Sequence, residues 1–155
     1  MRALGVSNFY PDRLIDLHQH VEVKPVVNQV EMHVFNQRVE DVETMVKYGC
    51  QVMAWGPFAE GKNGFFTNPV LLEIGKAHGK SAAQVGLRYL LQKKAVVIPK
   101  SSHKERMAEN IAVFDFELSE KEMDEIKAFD LKRPLFNFHC DPVAVERYME
   151  LEKLL

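Results

Sequence analysis

Apolar residues along this chain follow two alternating spacings. Short apolar runs at Arg2–Val6, Pro25–Met32, Gln51–Trp55 and Ala95–Ile98 are each followed by stretches in which apolar positions recur every third or fourth residue. The runs read as strands and the stretches as amphipathic helices. Ala95-Val96-Val97-Ile98 is β-branched at three positions of four and carries no charge, the pattern of a strand buried on both faces in a parallel sheet. Leu14, Leu17, His18 and Val21 share one helical face behind Pro11. Val39, Val42, Met45 and Val46 form a stripe in a helix that runs to Tyr48 and stops at Gly49. Asn68-Pro69 opens a helix ending at His78-Gly79, and the helix from Ser81 to Gln92 buries Val85, Leu87, Leu90 and Leu91. Met123, Ile126 and Phe129 face inward behind Ser119, and Asp141-Pro142 starts a last helix through Leu155. Three Ser-x-x-Gln/Glu capping boxes, Ser81–Gln84, Ser102–Glu105 and Ser119–Glu122, mark helix starts. This alternation predicts an α/β fold with four parallel βα units.

The joint between the last strand and the next helix carries chemistry. A strand that runs into a helix N-terminus leaves unpaired N–H groups and the positive end of a helix dipole at its C-terminal end. Lys100, Ser101 and Arg106 add two cations and a hydroxyl there. Taken alone, the stretch fits either a phosphate site or a capped surface helix with basic residues. Asn28, Gln29 and Glu31 lie within an apolar strand, where burial demands hydrogen-bond partners. A net charge of −2 and a pI near 6.3 argue against a nucleic-acid binder. Cys50 and Cys140, in an otherwise ordinary composition, suggest a reducing compartment and no disulfide framework. They are far apart in sequence, and His18 and His20 point to different sides of a helix, so no metal site is expected. No apolar run approaches the roughly 18 residues of a membrane span, and the N-terminus has no signal-peptide pattern. A cytoplasmic location is the expectation.

Ile98-Pro99-Lys100-Ser101, four further residues, Arg106 and then Glu109-Asn110 resemble the cofactor signature of the aldo-keto reductases. Those enzymes are (β/α)8 barrels that bind a nicotinamide dinucleotide without a glycine-rich Rossmann loop. The resemblance implies that Lys100, Ser101 and Arg106 grip the adenosine 2′-phosphate of NADP(H), with Glu109 and Asn110 at the adenine end. Gly5-Val6-Ser7-Asn8-Phe9 resembles the end of the family's fifth strand, which implies that Ser7 and Asn8, joined by Gln29, hold the nicotinamide carboxamide. Ala54-Trp55-Gly56-Pro57-Phe58 resembles the motif whose aromatic stacks on the nicotinamide ring. Trp55 is then that aromatic, and Gly56 and Phe58 border the pyrophosphate path. Ala59 to Thr67 corresponds to a loop that folds over the cofactor, and Leu131 to Asp141 to a tail that supplies substrate contacts. In that tail Phe136, Phe138 and His139 read first as a hydrophobic anchor and second as pocket candidates. Glu31 and His33 also match the family pattern and read as structural.

A full barrel of this kind takes roughly 250 residues, and the chain has 155. The resemblance follows strands five to eight over nearly the whole chain. The expected fold is therefore half of a TIM (β/α)8 barrel, four parallel βα units plus C-terminal helices. Residues 1–155 form a single partial domain, with 131–155 as a substrate-loop segment and last helix. The family's proton-donating Tyr and its Lys, Asp and His helpers belong to the first four strands and have no counterpart here. Tyr10 lies in a turn, and Tyr48, Tyr89 and Tyr148 in helices, so no catalytic residue is assigned. Two readings follow. One is the NADP(H)-binding half of an enzyme that reduces aldehydes or ketones, present as a fragment, a truncated reading frame or a piece of a split protein and inactive alone. The other is a non-catalytic half barrel acting as a binding or structural subunit. Uncharged edge strands at both ends of such a sheet call for a partner. That partner is a second copy or a complementing N-terminal half barrel, with neither nucleic acid nor membrane expected.

Overall fold

The computed structural model describes residues 2–136 and 140–152. Four strands, β1 (Leu4–Ser7), β2 (Pro25–Glu31), β3 (Gln51–Trp55) and β4 (Val96–Val97), form a parallel sheet in the order β1-β2-β3-β4. Parallel neighbours cannot be joined by a tight turn, so each connection crosses the sheet through helix. The crossings are α1 (Pro11–His20), α2 (Val39–Lys47) and the pair α3 (Pro69–His78) and α4 (Ala82–Gln92). Beyond β4 come α5 (Lys104–Ile111), α6 (Glu120–Lys127) and α7 (Pro142–Glu152). Between β3 and α3, residues Ala59–Thr67 wind into short 3₁₀ turns broken by positive φ at Glu60, Gly61, Asn63 and Gly64.

The core fills the space between sheet and helices. Val30, Val52 and Ala54 from the strands meet Leu14, Met45, Leu71, Ile74, Val85, Leu90 and Ile126 from the helices. Burying one such Leu, Ile or Val contributes about 1.5–3 kcal/mol. Two capping boxes form with both reciprocal bonds, at Ser81–Gln84 and Ser119–Glu122, and the Asn68 side chain accepts from Val70 and Leu71 N–H. Gly86 on α4 lets the Phe65 ring approach so closely that an added Cβ would lie 2.5 Å from its Cζ.

Three expectations are corrected. β4 is not buried on both faces: Val96 and Ile98 are each 41% exposed. Among the described residues its one strand neighbour is β3, through Met53↔Val96 and Ala54↔Val97, so it is an edge strand. The Ser102–Glu105 capping box does not form. Ser101 Oγ accepts from the His103 N–H at 3.1 Å and shapes a turn there, which delays the helix until Lys104 with His103 as N-cap. Glu105 is then too early in the helix to close a box. The α2 stripe is also narrower than its spacing implies, because Val39 and Val46 are exposed and Met45 carries the core contact. Met45 and Val46 are successive residues about 100° apart around the helix axis, so only one can face the sheet.

Polar groups buried at the end of β2 tie distant segments together. The Asn28 amide bonds both backbone groups of Phe9. Gln37 Nε2 donates to the carbonyls of Val34 and Ile126, and Gln37 Oε1 accepts the Tyr89 hydroxyl at 2.6 Å. Glu31 Oε1 accepts the Leu135 N–H at 2.6 Å and the His33 Nε2–H at 3.0 Å. The His33 tautomer follows from its other nitrogen: Nδ1 accepts the Phe35 N–H, so Nε2 carries the proton. Burial alone would raise the Glu31 pKa. The hydrogen bonds from His33, Leu135 and the Phe136 amide outweigh it and hold the carboxyl below the ordinary glutamate range.

Glu31 therefore fastens the tail to the sheet, and a carboxylate whose folded pKa is depressed stabilises only while ionised. Its contribution is complete at neutral pH, fades as pH falls through the ordinary glutamate range and is gone below the depressed folded value. Amide exchange at Leu135, corrected for the intrinsic pH dependence of exchange, is expected to show this loss of protection. Glu31→Leu should lower Leu135 protection at neutral pH by about tenfold or more, as expected for a charge-assisted bond of about 1.5–3 kcal/mol. Protection that ignores both changes would mean the tail is held by something else.

Candidate functional site

Most candidate residues lie at or near the C-terminal ends of the strands, the edge at which parallel α/β folds place ligands, and Arg106, Glu109 and Asn110 lie on α5. Parallel register sets Ser7 beside Gln29 and Gln29 beside Met53. Asn8 leaves β1 with φ of 57°, a left-handed turn that Asn tolerates, and its N–H donates to the Gln29 carbonyl at 2.8 Å. Ser7 Oγ donates to the same carbonyl at 3.1 Å and accepts from Asn8 Nδ2 at 3.2 Å. Asn8 Oδ1 accepts the indole N–H of Trp55 at 2.9 Å. Gln29 Nε2 points to Met53 Sδ at 3.3 Å. Ser7, Asn8, Gln29 and Trp55 are thus one connected cluster across β1, β2 and β3. The indole N–H fixes the Asn8 amide with its oxygen toward Trp55 and its NH2 toward Ser7.

The tail completes the surroundings of the indole. With Leu135 held by Glu31, the Phe136 ring lies 5.4 Å from the Trp55 ring, tilted by 56°. Lys62 Nζ sits 3.8 Å from the centre of the Phe136 ring and donates to the Leu135 carbonyl. Gly56, at φ of 61°, leaves room for this ring, since an added Cβ would meet Phe136 Cε2 at 3.7 Å. Phe136, read from the sequence as an anchor, packs on the one tryptophan of the chain. Phe138 and His139 lie outside the described residues.

The second group gathers in a groove of about 610 Å³ beyond β4. Lys100, Ser101, Ser102 and His103 line it from the β4–α5 turn, Arg106 from the first turn of α5, and Glu109 and Asn110 from the second. α5 has no side chain capping its N-terminus, so its first amides remain free of a side-chain partner beside these cations. Glu109 accepts the hydroxyl of Ser81, and its carbonyl accepts from Gln84, which pins α5 to α4. Phe58, Phe66, Leu72 and Ala83 supply the apolar lining. Gly56 and Phe58 join the two groups along the chain, the Gly56 carbonyl accepting the Ala59 N–H at 2.8 Å.

Of the sequence candidates, Ser7, Asn8, Gln29 and Trp55 meet in the first cluster, and Phe58, Lys100, Ser101, Arg106, Glu109 and Asn110 in the groove. Sequence reasoning missed the Asn8–Trp55 bond, which no spacing reveals, and the groove wall at Phe66 and Leu72. Two adjacent phenylalanines in a glycine-containing loop were a signal for the latter. Tyr89 is fully buried against Gln37, and burial, aided by the Asp130 and Asp124 carboxylates, pushes its phenol well above the ordinary range. Cys50 is a buried thiol and Cys140 an exposed one, and neither is in a disulfide. Among the described residues no three ligating side chains cluster as a metal site, and no helix is long and apolar enough to cross a membrane.

Comparison with known proteins adds the context. Residues 1–131 match the aldo/keto reductase family. The chain is 44% identical to the glyoxal reductase of Bacillus subtilis over 130 residues, 84% of this chain and 46% of that protein. It is 43% identical to the 9,11-endoperoxide prostaglandin H2 reductase of Trypanosoma cruzi over 127 residues, 81% of this chain and 45% of that protein. An aldo-keto reductase from a Medee basin deep-sea metagenome superposes with a TM-score of 0.87 at 33% identity, covering 90% of this chain and 52% of that one. A Bombyx mori aldo-keto reductase in complex with NADP superposes with a TM-score of 0.81 at 32% identity, covering 88% and 47%. The chain thus spans about half the length of the relatives it matches. A parallel sheet whose strand ends carry this cluster and groove, and a family match over residues 1–131, agree: the chain belongs to the aldo/keto reductase family.

Proposed function

We propose that this chain is the C-terminal half of an aldo-keto reductase barrel, strands five to eight, forming one partial domain that holds NADP(H) for the reduction of small aldehydes or ketones. The observation that carries the reading is the groove beyond β4. It assembles Lys100, Ser101 and Arg106 at an uncapped helix N-terminus, with Asn110 a turn further along the helix, the chemistry that a phosphorylated adenosine demands. The NADP named with the Bombyx mori structure supports the same assignment.

NADPH, when bound, supplies the hydride for the substrate carbonyl carbon. The chain's own residues would hold and orient it. Lys100 and Arg106 neutralise the 2′-phosphate, Gly56 and Phe58 border the pyrophosphate, and Ser7, Asn8 and Gln29 bind the carboxamide. Because its oxygen is committed to the indole, Asn8 offers its NH2 to a carboxamide oxygen. Trp55, set by Asn8 and backed by Phe136, presents a flat face to the nicotinamide and leaves the other face for transfer. The proton donor belongs to the other half of the barrel. Among the tyrosines here Tyr89 is buried with a raised pKa, and Tyr48 packs against His18 on the helix layer.

Removal of one cation tests the phosphate assignment. In a barrel completed by its other half, Arg106→Ala should weaken NADPH binding roughly ten- to a hundredfold, as expected for a charged hydrogen bond worth about 1.5–3 kcal/mol. NADH binding should barely change, and equal losses for both would sink the assignment.

A second measurement separates the enzyme half from a purely structural subunit. The 155 residues alone should not reduce an aromatic aldehyde with NADPH, since positioned acid catalysis is worth about 10²–10⁴-fold. Turnover should return when a chain carrying the other four βα units is added. Reduction by the 155 residues alone would reveal a proton donor among them.

Among the described residues the edge strands β1 and β4 lack a strand neighbour on one side, and Val96 and Ile98 are exposed. Purified alone, the 155 residues should pair β1 of one copy with β4 of another and close eight strands about a two-fold axis. Size-exclusion chromatography with light scattering is expected to give a dimer. A stable, cooperatively unfolding monomer at micromolar concentration would rule this pairing out.

A further inference from the structure

A second cleft, of about 490 Å³, opens where the β1–α1 turn, the start of α2, the end of α6 and the tail meet, and it shares no residue with the cluster or the groove. Arg38, Lys127, Lys132 and Arg133 line it. Arg38 is the N-cap of α2, and its side chain is only 5% exposed. The guanidinium lies 4.4 Å from the centre of the Tyr10 ring, and its Nη2 is 2.5 Å from Asp41 Oδ2. Even so, Nε and Nη2 are buried with no hydrogen-bond acceptor among the described residues. A single carboxylate leaves most of the five N–H donors of this buried cation unanswered. On the solvent side Lys127, Lys132 and Arg133 are exposed, and none has an ion pair among the described residues. Of the three carboxylates in the lining, Asp41 is committed to Arg38, and Asp130 Oδ1 accepts the Gln37 and Lys132 N–H groups. Glu40 is the third.

We propose that this cleft binds the phosphate group of a small metabolite, and that binding fastens the tail over Trp55. The site is separate from the NADP(H) reading of the groove and stands without it. The arrangement of the cations selects phosphate over carboxylate. They come from three segments, the start of α2, the end of α6 and the tail, and a tetrahedral dianion can meet all three at once. A planar carboxylate is matched by one arginine fork. Arg38 acts through its field, which water screens little because the side chain is buried. The start of α2, which no side chain caps, adds its first amides. Coupling to the tail follows from where the cations belong. Arg38 is anchored beside the sheet, whereas Lys132 and Arg133 lie between Leu131, held by the Phe35 carbonyl, and Leu135, held by Glu31. Phe136 follows directly and packs on Trp55. A ligand that needs both sets of cations binds the docked tail better than a loose one, and so shifts the tail toward the docked state.

Titration of the 155-residue chain with inorganic phosphate, followed through its backbone amide resonances at constant ionic strength, tests this. Resolution by residue separates the cleft from the groove, which would bind the same ion. The amides of Val39 to Asp41 and of Lys132 and Arg133 should shift and saturate. Replacing both exposed tail cations, Lys132→Gln with Arg133→Gln, should weaken that response by about tenfold or more, while the phosphate response at Ser101 and His103 stays as in the native chain. Glycerol 3-phosphate should bind the cleft more tightly than inorganic phosphate, and equal affinity would overturn the metabolite assignment in favour of the free ion. Amide exchange at Leu135 should slow when the cleft is filled, and slow less in the double variant at the same phosphate concentration. Shifts confined to the groove, or an unchanged response in the double variant, would overturn the site. Saturable binding that leaves Leu135 exchange untouched would overturn its coupling to the tail.

Discussion

A polar side chain carried out of water must bring its partners with it, and the end of β2 is built on that constraint. An unpaired buried group costs about 1–3 kcal/mol, a large fraction of the roughly 5–15 kcal/mol that holds a typical domain together. Asn28, Glu31, His33 and Gln37 are all buried, and three of them bond distant parts of the chain, while Oε2 of Glu31 finds no hydrogen-bond partner among the described residues. Asn28 takes Phe9 beyond β1, Glu31 takes Leu135 in the tail, and Gln37 takes Tyr89 of α4 and Ile126 of α6. Apolar packing alone would let these segments slide. Directional bonds set where each one lands.

The candidate site inherits that order. Phe9 is fixed by Asn28, so the preceding Ser7 and Asn8 arrive beside Gln29 with little freedom. Leu135 is fixed by Glu31, so the following Phe136 arrives against Trp55. The residues that would touch a ligand are placed by neighbours that would not, and the same logic applies across the groove. There Ser81 serves two roles at once: its hydroxyl caps α4 and bonds Glu109 of α5, which aligns the helix that carries Arg106 and Asn110.

Much of this was readable in the chain, for identifiable reasons. Strand β3, the caps at Asn68, Ser81 and Ser119 and the stop at His78-Gly79 are local, since each is decided by residues within a few positions. The residues that meet in the cluster and in the groove could be singled out because the motifs keep residue type and spacing together. What misled was tertiary in origin. An apolar strand looks the same in sequence whether its far flank is covered or bare, so β4 read as buried. Ser101 and Ser102 are both plausible caps by type, and only the turn that Ser101 makes with His103 decides against the Ser102 box. Phe65 and Phe66 are identical in type, and a single glycine on another helix, Gly86, determines which of them reaches the core.

The unequal length of the crossings has a consequence for how the molecule assembles. Strand order follows chain order, so each pairing closes one loop without threading past another. The loops that join β1 to β2 and β2 to β3 each contain one helix, whereas the loop from β3 to β4 contains the 3₁₀ segment and two helices. Doubling a loop adds about 0.6 kcal/mol to the entropy cost of closing it, and β4 repays that cost through only two residue pairs. β4 is thus the least secured member of the sheet. Lys100 and Ser101 follow that strand closely, so an anion held by them and by α5 would fasten the most weakly docked part of the sheet and raise the stability of the whole by mass action.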